Sequence, residues 1–534
     1  TAGQKAKAAT AYAAATEYLQ VGLKLLVDSS WTHHYELTLS LYEEAAEAAF
    51  LSGDFDRMHR FVEIVQNHAK TLLEKIKVYE VQTQAYIGQN RLLEAINTAL
   101  QVLKLLEIEF PQEPNPSDIG RAFEETAAIL SGTRIEDLVD LPQMTDPYKL
   151  AAMRLLSSIF APAFVVNPEL VPLAVCKQID LSVQYGNASV SPFAYANYGL
   201  LLCGVVGDID SAYQFGQLAL TLVSKLNAQE IKAKTVVVVN SFIRHWKEHL
   251  RETLKPIMSA YSSAMETGDL EWAGFALVGY SFCAYFSSKE LTVLEREMAA
   301  YRDAIYKNKQ EATLHCIEIY WQATLNLLGR SEDPCLLKGE AYDEQIMLPL
   351  HLQANDNTGL YYIYCHKFLL SYLFENYYQA IENIAIAQKY LEAMVGLPVV
   401  PIFHFYDSLV RLAVYSDCPE SEQQEILVRV QANQEKMQKW AHHAPMNHLH
   451  KFYLVEAERH RVLGEKIDAI EMYDKAIALA QENEYINEEA LANELAAKFY
   501  LEWGKEAIAQ VYMQNAHYSY QVWGAIAKVE DLEQ

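Results

Sequence analysis

One unit recurs along this chain of 534 residues: two amphipathic helices joined by a tight turn. Its clearest copy spans residues 35–69, where Leu37, Leu41, Ala45, Ala48 and Ala49 mark one helical face that runs into Ser52-Gly53-Asp54. A second helix follows, with Phe55, Met58, Phe61, Val62 and Val65 on its apolar face. The next copy turns at Gly88-Gln89-Asn90, and Gly53 and Gly88 are 35 positions apart. Two-helix repeats of the commonest kind have a period of about 34 residues. Small residues let the paired helices approach closely, and a turn glycine can adopt a positive φ without penalty. A helix pair of this size cannot bury its apolar face alone and must stack on its neighbours. The repeat therefore predicts an extended helical array, whose usual work is holding other proteins.

Further copies come with drifting spacing. They lie at residues 198–226, turning at Gly207-Asp208, and at 359–391, turning at Glu375-Asn376-Tyr377 ahead of Tyr378, Ile381, Ile384 and Ala385. Another spans 452–480, with Gly464-Glu465-Lys466 at the turn and Ala469, Ile470, Tyr473, Ala476 and Ile477 beyond it. A last pair turns at Gly504 and ends near Gly524. Strand signals are almost absent; residues 235–239 are β-branched but run into Ile243, Trp246 and Leu250 at helical spacing, which predicts helix. The fold expected is all-α, an irregular tetratricopeptide-like α-α superhelix (solenoid) of antiparallel pairs, right-handed. Prolines divide it, since at this density they stop helices. The segments read as N-terminal repeats at 1–110, an irregular helical insertion at 111–190, central repeats at 191–328, a loop-rich break at 329–358 holding Pro334, Gly339 and Pro349, and C-terminal repeats at 359–534. None of the breaks is Ser/Gly-rich, so they read as loops within one continuous array.

The net charge of −26 weighs against a nucleic-acid partner, which needs a basic face to release counterions, and against an anionic membrane surface. Two uncharged stretches, 181–207 and 272–288, read as buried inner helices. The first contains Gln184, Asn187, Pro192 and Asn197, and the second falls short of the roughly 20 apolar residues of a span. No membrane insertion is expected. The seven cysteines form no CxxC pair and read as buried small hydrophobes. Their odd number and the lack of a visible signal peptide suit a reducing, cytoplasmic setting. The chain starts at Thr1 in helical composition, and so reads as part of something larger.

A search for chemistry assigns no catalytic residue, no cofactor-binding residue and no metal ligand. GxxxxGK[ST], GxGxxG after a strand, HRD, DFG, GxSxG and HExxH are all absent. Without such groups to position phosphates, this segment is not expected to hydrolyse ATP or transfer phosphate. None of the 16 histidines follows a glutamate by three positions. His442, His443, His448 and His450 fall within nine positions, yet Pro445 divides them. They read as a helix end followed by a helix capped by Asn447, not as a metal centre. His33-His34 and the pairs Glu311/His315 and Glu456/His460 read as helix-surface neighbours. Glu43-Glu44 with Glu47, and Glu488-Glu489, read as solvated helix faces. Tyr361, Tyr362 and Tyr364, with Tyr518 and Tyr520, read as packing between repeats or the lining of a peptide groove.

Four segments carry a family resemblance. They are Tyr35-Glu-Leu-Thr-Leu-x-Leu-Tyr-Glu-Glu-Ala-Ala-Glu, Ala444-Pro-Met-Asn-His-Leu-His-Lys-Phe-Tyr-Leu-Val-Glu-Ala-Glu, Glu489-Ala-Leu-Ala-Asn-Glu-Leu-Ala and Trp523-Gly-Ala-x-Ala-Lys-Val-Glu-Asp-Leu. Together they resemble the long helical region of the large multidomain hybrid signalling kinases of cyanobacteria and some fungi. The resemblance runs from Ala2 to Glu533. It implies a serine/threonine kinase-like domain and a STAND-type AAA ATPase on one side, and a GAF sensor with a histidine kinase on the other. On that footing the region is a non-catalytic sensor arm. It would couple the ATPase switch to kinase output, with ATP and Mg belonging to the flanking domains and a protein partner or those domains as its binding partner. A freestanding peptide-binding scaffold and an all-helical enzyme are the alternatives.

Overall fold

The structure is a computed structural model and describes residues 2–9, 11–27, 29–308 and 310–533. Thr1, where the first expected segment opens, and the Glu311 side chain of the expected Glu311/His315 pair lie outside the described residues. The protein is all-α: among the described residues there is no strand, only the isolated bridges Gln143–Asn187 and Lys338–Asp343. The helices form two compact units, Thr1–Tyr198 and Gly199–Gln534, whose boundary falls inside the helix Ser191–Leu201.

In the N-terminal unit, Tyr35–Leu51 pairs with Phe55–His68 and Leu72–Gly88 with Leu92–Leu105. Side chains start these helices where the sequence offers them. Asp54 accepts a hydrogen bond from the Arg57 amide, Thr71 and Glu74 form a reciprocal capping box, and Asn115 and Asp118 form another around Pro116. Such caps are worth about 1 kcal/mol each. Gly53 turns the first pair at φ +78°, whereas at the second turn Asn90, not Gly88, is left-handed, at φ +57°. Asparagine tolerates that conformation because its short side chain bonds locally. Leu39, Met58, Val62, Val65, Val78 and Val81 interlock as a core that joins the first pair to the helix Leu72–Gly88. Burying each is worth about 1.5–3 kcal/mol. Beyond them, Leu170–Tyr185 packs on Pro116–Leu130 and on Pro147–Ser158.

In the C-terminal unit the pairs are Leu254–Thr267 with Leu270–Phe286, Leu291–Lys307 with Glu311–Leu327, Asn357–Leu373 with Tyr377–Ala387, Pro445–Leu463 with Lys466–Glu482, and Ile486–Glu502 with Glu506–Trp523; Glu420–His443 also packs on Pro445–Leu463. Their shared core is aromatic, with Tyr320, Tyr361, Phe368, Phe403, Tyr473 and Tyr520 fully buried. Tyr362 joins it, Tyr364 packs at its edge and Tyr518 stays exposed. Helix Leu270–Phe286 is buried on nearly every face. Among the described residues no single helix is long and apolar enough to cross a membrane.

The region 329–358 departs from the expected run of loops, because Glu344–Ala354 is a helix with Pro349 inside it. Its end is fastened by buried His351, which bonds Asp356 at 2.7 Å, and Asp356 in turn caps the next helix by accepting from the Gly359 amide. The β-branched run at 235–239 is helical, but the helix Gln229–Val238 opens into a π-turn, Val239–Ile243, and then a 3-10 turn, Arg244–Trp246. Cys176, Cys203, Cys283, Cys316 and Cys365 are buried, Cys335 and Cys418 half-buried, and all are free thiols.

Candidate functional site

That irregular stretch, continued by the 3-10 turn Leu250–Thr253, marks a place in the C-terminal unit where the ends of several helices meet. A π-turn and a 3-10 turn in succession leave backbone groups without helical partners, and those must bond elsewhere. Asn447 supplies the bonds. Its amide nitrogen donates to the carbonyls of His245 and Glu248, each at 2.7 Å, and its oxygen accepts from the Leu250 amide at 3.0 Å and the Tyr485 hydroxyl at 2.7 Å. The full capacity of one amide side chain is used. Helix Pro445–Leu463 starts at Pro445, so Asn447 sits in its first turn with its side chain turned to neighbouring segments. The expectation that Asn447 caps this helix is therefore corrected: the backbone of 244–250 outcompetes the helix's own amides for it. Two more bonds pin the stretch, from His245 Nε2 to the Gly396 carbonyl at 2.9 Å and from His249 Nε2 to the Asn483 carbonyl at 2.8 Å.

Next to Asn447 lies a buried charge cluster. Glu488 pairs with His450 Nε2 and with Lys451 Nζ, the latter at 2.8 Å, and all three side chains are 3% exposed. Lys451 also donates to the Asn447 carbonyl at 2.7 Å and lies over the Tyr485 ring. Burial pushes the Glu488 carboxyl upward, but Lys451 and His450 overrule it and hold it below the usual carboxylate range. Burial, then the Lys451 charge, lowers His450 to about 4, and burial lowers His245 to about 4. The imidazoles here are thus neutral near pH 7. A cavity of about 20 Å³ opens between His245, Leu250, Phe286, Ile402, His448 and Lys451. His448 is 5% exposed, and neither of its ring nitrogens has a hydrogen-bond partner. Trp246 and Trp440 stand beside it, with ring centroids 6.0 and 6.4 Å away.

The four histidines of the sequence cluster are separated. His442 is exposed and His443 half-buried at the end of Glu420–His443, with His443 3.6 Å from Asp210, while His448 and His450 face the interior. Glu488 is no solvated residue; this expectation is overturned because helix Ile486–Glu502 is enclosed on almost every side, Ala490 through Ala497 included. A helix reading Glu-Glu-Ala-Leu-Ala-Asn-Glu-Leu-Ala-Ala has small or apolar residues on most sides, which says that the helix is covered but not which of its acids are: Glu488 and Glu494 are buried, whereas Glu489 is half-buried. Glu43, Glu44 and Glu47 are likewise not a free face. Glu44 and Glu47 meet Lys7 at 2.5 and 3.0 Å, and all three lie within 4.0 Å of Lys77. Of the pair Glu456/His460, Glu456 is buried and accepts from Gln434 at 2.8 Å, because helix Glu420–His443 packs over it. His460, Glu465 and Asp468 bring ligand-type atoms within 4.8 Å of one another at the Gly464 turn, where His460 and Glu465 already pair at 2.5 Å.

No protein-family model matches the chain. Over 305 residues, 52% of its length, it is 22% identical to the hybrid signal transduction histidine kinase G of Dictyostelium discoideum, and it spans 9% of the length of that relative. Among solved structures, a circular tandem repeat protein with novel repeat topology and enhanced subunit contact surfaces aligns over 93% of both chains, at 12% identity and a TM-score of 0.16, too low to relate the two folds.

Proposed function

We propose that this chain is a non-catalytic interaction and coupling region of a multidomain signalling kinase. The observation that carries the reading is its similarity, across half its length, to a hybrid signal transduction histidine kinase. The all-helical construction supports it, because stacked helix pairs present long surfaces to a protein partner or to neighbouring domains. In this reading the array restrains a STAND-type ATPase switch and passes its state to serine/threonine or histidine kinase output. ATP and Mg are handled by the flanking domains, and the work takes place in the cytoplasm. An arm of this kind shifts a switch only by contacting its two states differently. The test is to excise the array from the full-length kinase and measure phosphorylation with and without stimulus. Loss of stimulus dependence with the kinase domain still folded is the expected result; unchanged regulation would leave only a passive spacer.

A further inference from the structure

The helix Glu506–Trp523 is apolar on two faces. With one it packs on Ile486–Glu502 and Ile526–Leu532, burying Ala509, Ala516, Tyr520 and Trp523. The other face is open. Ile508, Val511, Tyr518 and Val522 are 43, 56, 66 and 45% exposed, and Asn515 among them is exposed too. A helix that is apolar all round is ordinarily covered all round, and contiguous exposed apolar surface marks a place of contact. No Asp, Glu, Lys or Arg occurs from 507 to 527, although 21% of the chain is charged. The second helix of the preceding pair, Lys466–Glu482, instead exposes Asp468, Glu471, Asp474 and Glu482. His517, beside Tyr518 in the chain, is paired with Glu533 at 3.0 Å and brings no free charge to the open face.

The spacing of the open face selects its occupant. Ile508, Val511, Asn515, Tyr518 and Val522 follow one another by alternating three- and four-residue steps, the a and d positions of a heptad. Ile508 and Val522 hold the outer a positions and Asn515 the central one. β-Branched residues at a favour two parallel strands, and a single Asn at a specifies their register. We infer that two copies of this chain associate through this stripe, with the two helices parallel about a two-fold axis. Each of the five residues then meets its own counterpart. Charge favours the same occupant: two chains of −26 repel wherever acidic faces meet, and this face reaches its own copy with no like charges opposed. The stripe spans about two heptads, fewer than the roughly 3–4 of a free-standing coiled coil. Its helix is already folded on a scaffold, however, so association does not bear the cost of helix nucleation. A contact this short is expected to be reversible, exchanging with monomer at micromolar concentration. This inference goes beyond the signalling role and stands or falls separately from it.

The test is sedimentation equilibrium of the whole chain over a range of concentrations. A monomer–dimer equilibrium is expected. Raising the salt should shift it toward dimer, since salt screens the repulsion of two acidic chains and the stripe holds no ion pair to weaken. Val511→Glu changes an exposed position, so it should leave the melting temperature unchanged. It should weaken the dimer by roughly tenfold or more, because two glutamates would then face each other. A chain that stays monomeric at every concentration, or a dimer that Val511→Glu leaves intact, would overturn the inference. Cross-linking reads the direction of the helices without a disruptive variant. Under mild oxidation Ile508→Cys should form a covalent dimer with itself, beyond any product of the seven native thiols in a wild-type control. Cross-linking that appears only when Ile508→Cys is mixed with Val522→Cys would mean antiparallel helices, and would sink the proposal.

Discussion

In the N-terminal unit Lys7, Lys77, Glu43, Glu44 and Glu47 meet with side chains 15–40% exposed, whereas in the C-terminal unit Glu488, Lys451 and His450 meet at 3%. The second pattern is repeated within its unit. Asp407, 1% exposed, binds Arg411 and Arg429 at 2.8 and 2.7 Å, and Glu494 at 2% takes Lys498 and fully enclosed Lys528. The same building block, an antiparallel helix pair, thus tolerates two treatments of charge. Where helices are covered on one side, ions stay near water and are worth little. Where a helix is covered all round, its ions must find each other, and a broken pair becomes costly. Buried charge is for that reason the property that should separate the two units in experiment.

The largest separation is expected in acid. Burial lowers His245, His404 and His450 to about 4 in the folded chain, against about 6.5 for histidine in an unfolded one. Between those values the unfolded chain binds more protons, so stability is full above about pH 6.5 and falls as the pH drops toward 4. By pH 5 each histidine should remove roughly 2 kcal/mol, and the three together about 6. Glu488, held below the usual range, joins the loss only at lower pH, as its own carboxylate protonates. In the N-terminal unit no described histidine is buried: His33, His34 and His68 are exposed and His59 is half-buried. Hydrogen exchange of the whole chain, resolved by helix at pH 7 and pH 5, should show protection lost mainly beyond Gly199. Equal loss in both units would break the comparison.

Glu488→Ala should come next, destabilising the C-terminal unit by about 3–5 kcal/mol because Lys451 and His450 are left buried without their anion. Glu44→Ala, in the half-exposed cluster, should cost at most about 1 kcal/mol, and less in high salt. Urea unfolding of the two variants checks the pair. A Glu44 effect as large as that of Glu488 would mean that burial is not what sets the cost.

The smallest difference is expected at the turns. Gly464 and Gly53 have φ of +76° and +78°, with nothing within 4 Å of an added side chain, so both are limited by backbone conformation and not by space. Gly464→Val and Gly53→Val should each cost about 1–3 kcal/mol, and by similar amounts. Unfolding curves that differ by more than the width of that range would show that the two units do not share one turn geometry.

The helix pairs were legible because each is encoded locally. Apolar residues at 3–4 spacing, with Gly53 and Gly464 at turns, act within a few positions of themselves. The buried cluster was hidden for the opposite reason. His450 and Glu488 lie 38 positions apart, and Asn447 reaches His245 across 202. Spacing along one helix says which side chains share a face but not what covers that face.

By itself, then, the sequence determined an all-α chain of antiparallel helix pairs and the places where most of them turn, since backbone propensity, capping and apolar periodicity operate over short distances. Only the tertiary structure decided that Glu488, Lys451 and His450 are interior, that Asn447 fastens an irregular stretch instead of capping a helix, and that His448 faces a cavity with no partner. Those outcomes depend on which helix ends are stacked together, and the free energy of a charge or an imidazole is set by the neighbours that replace its water.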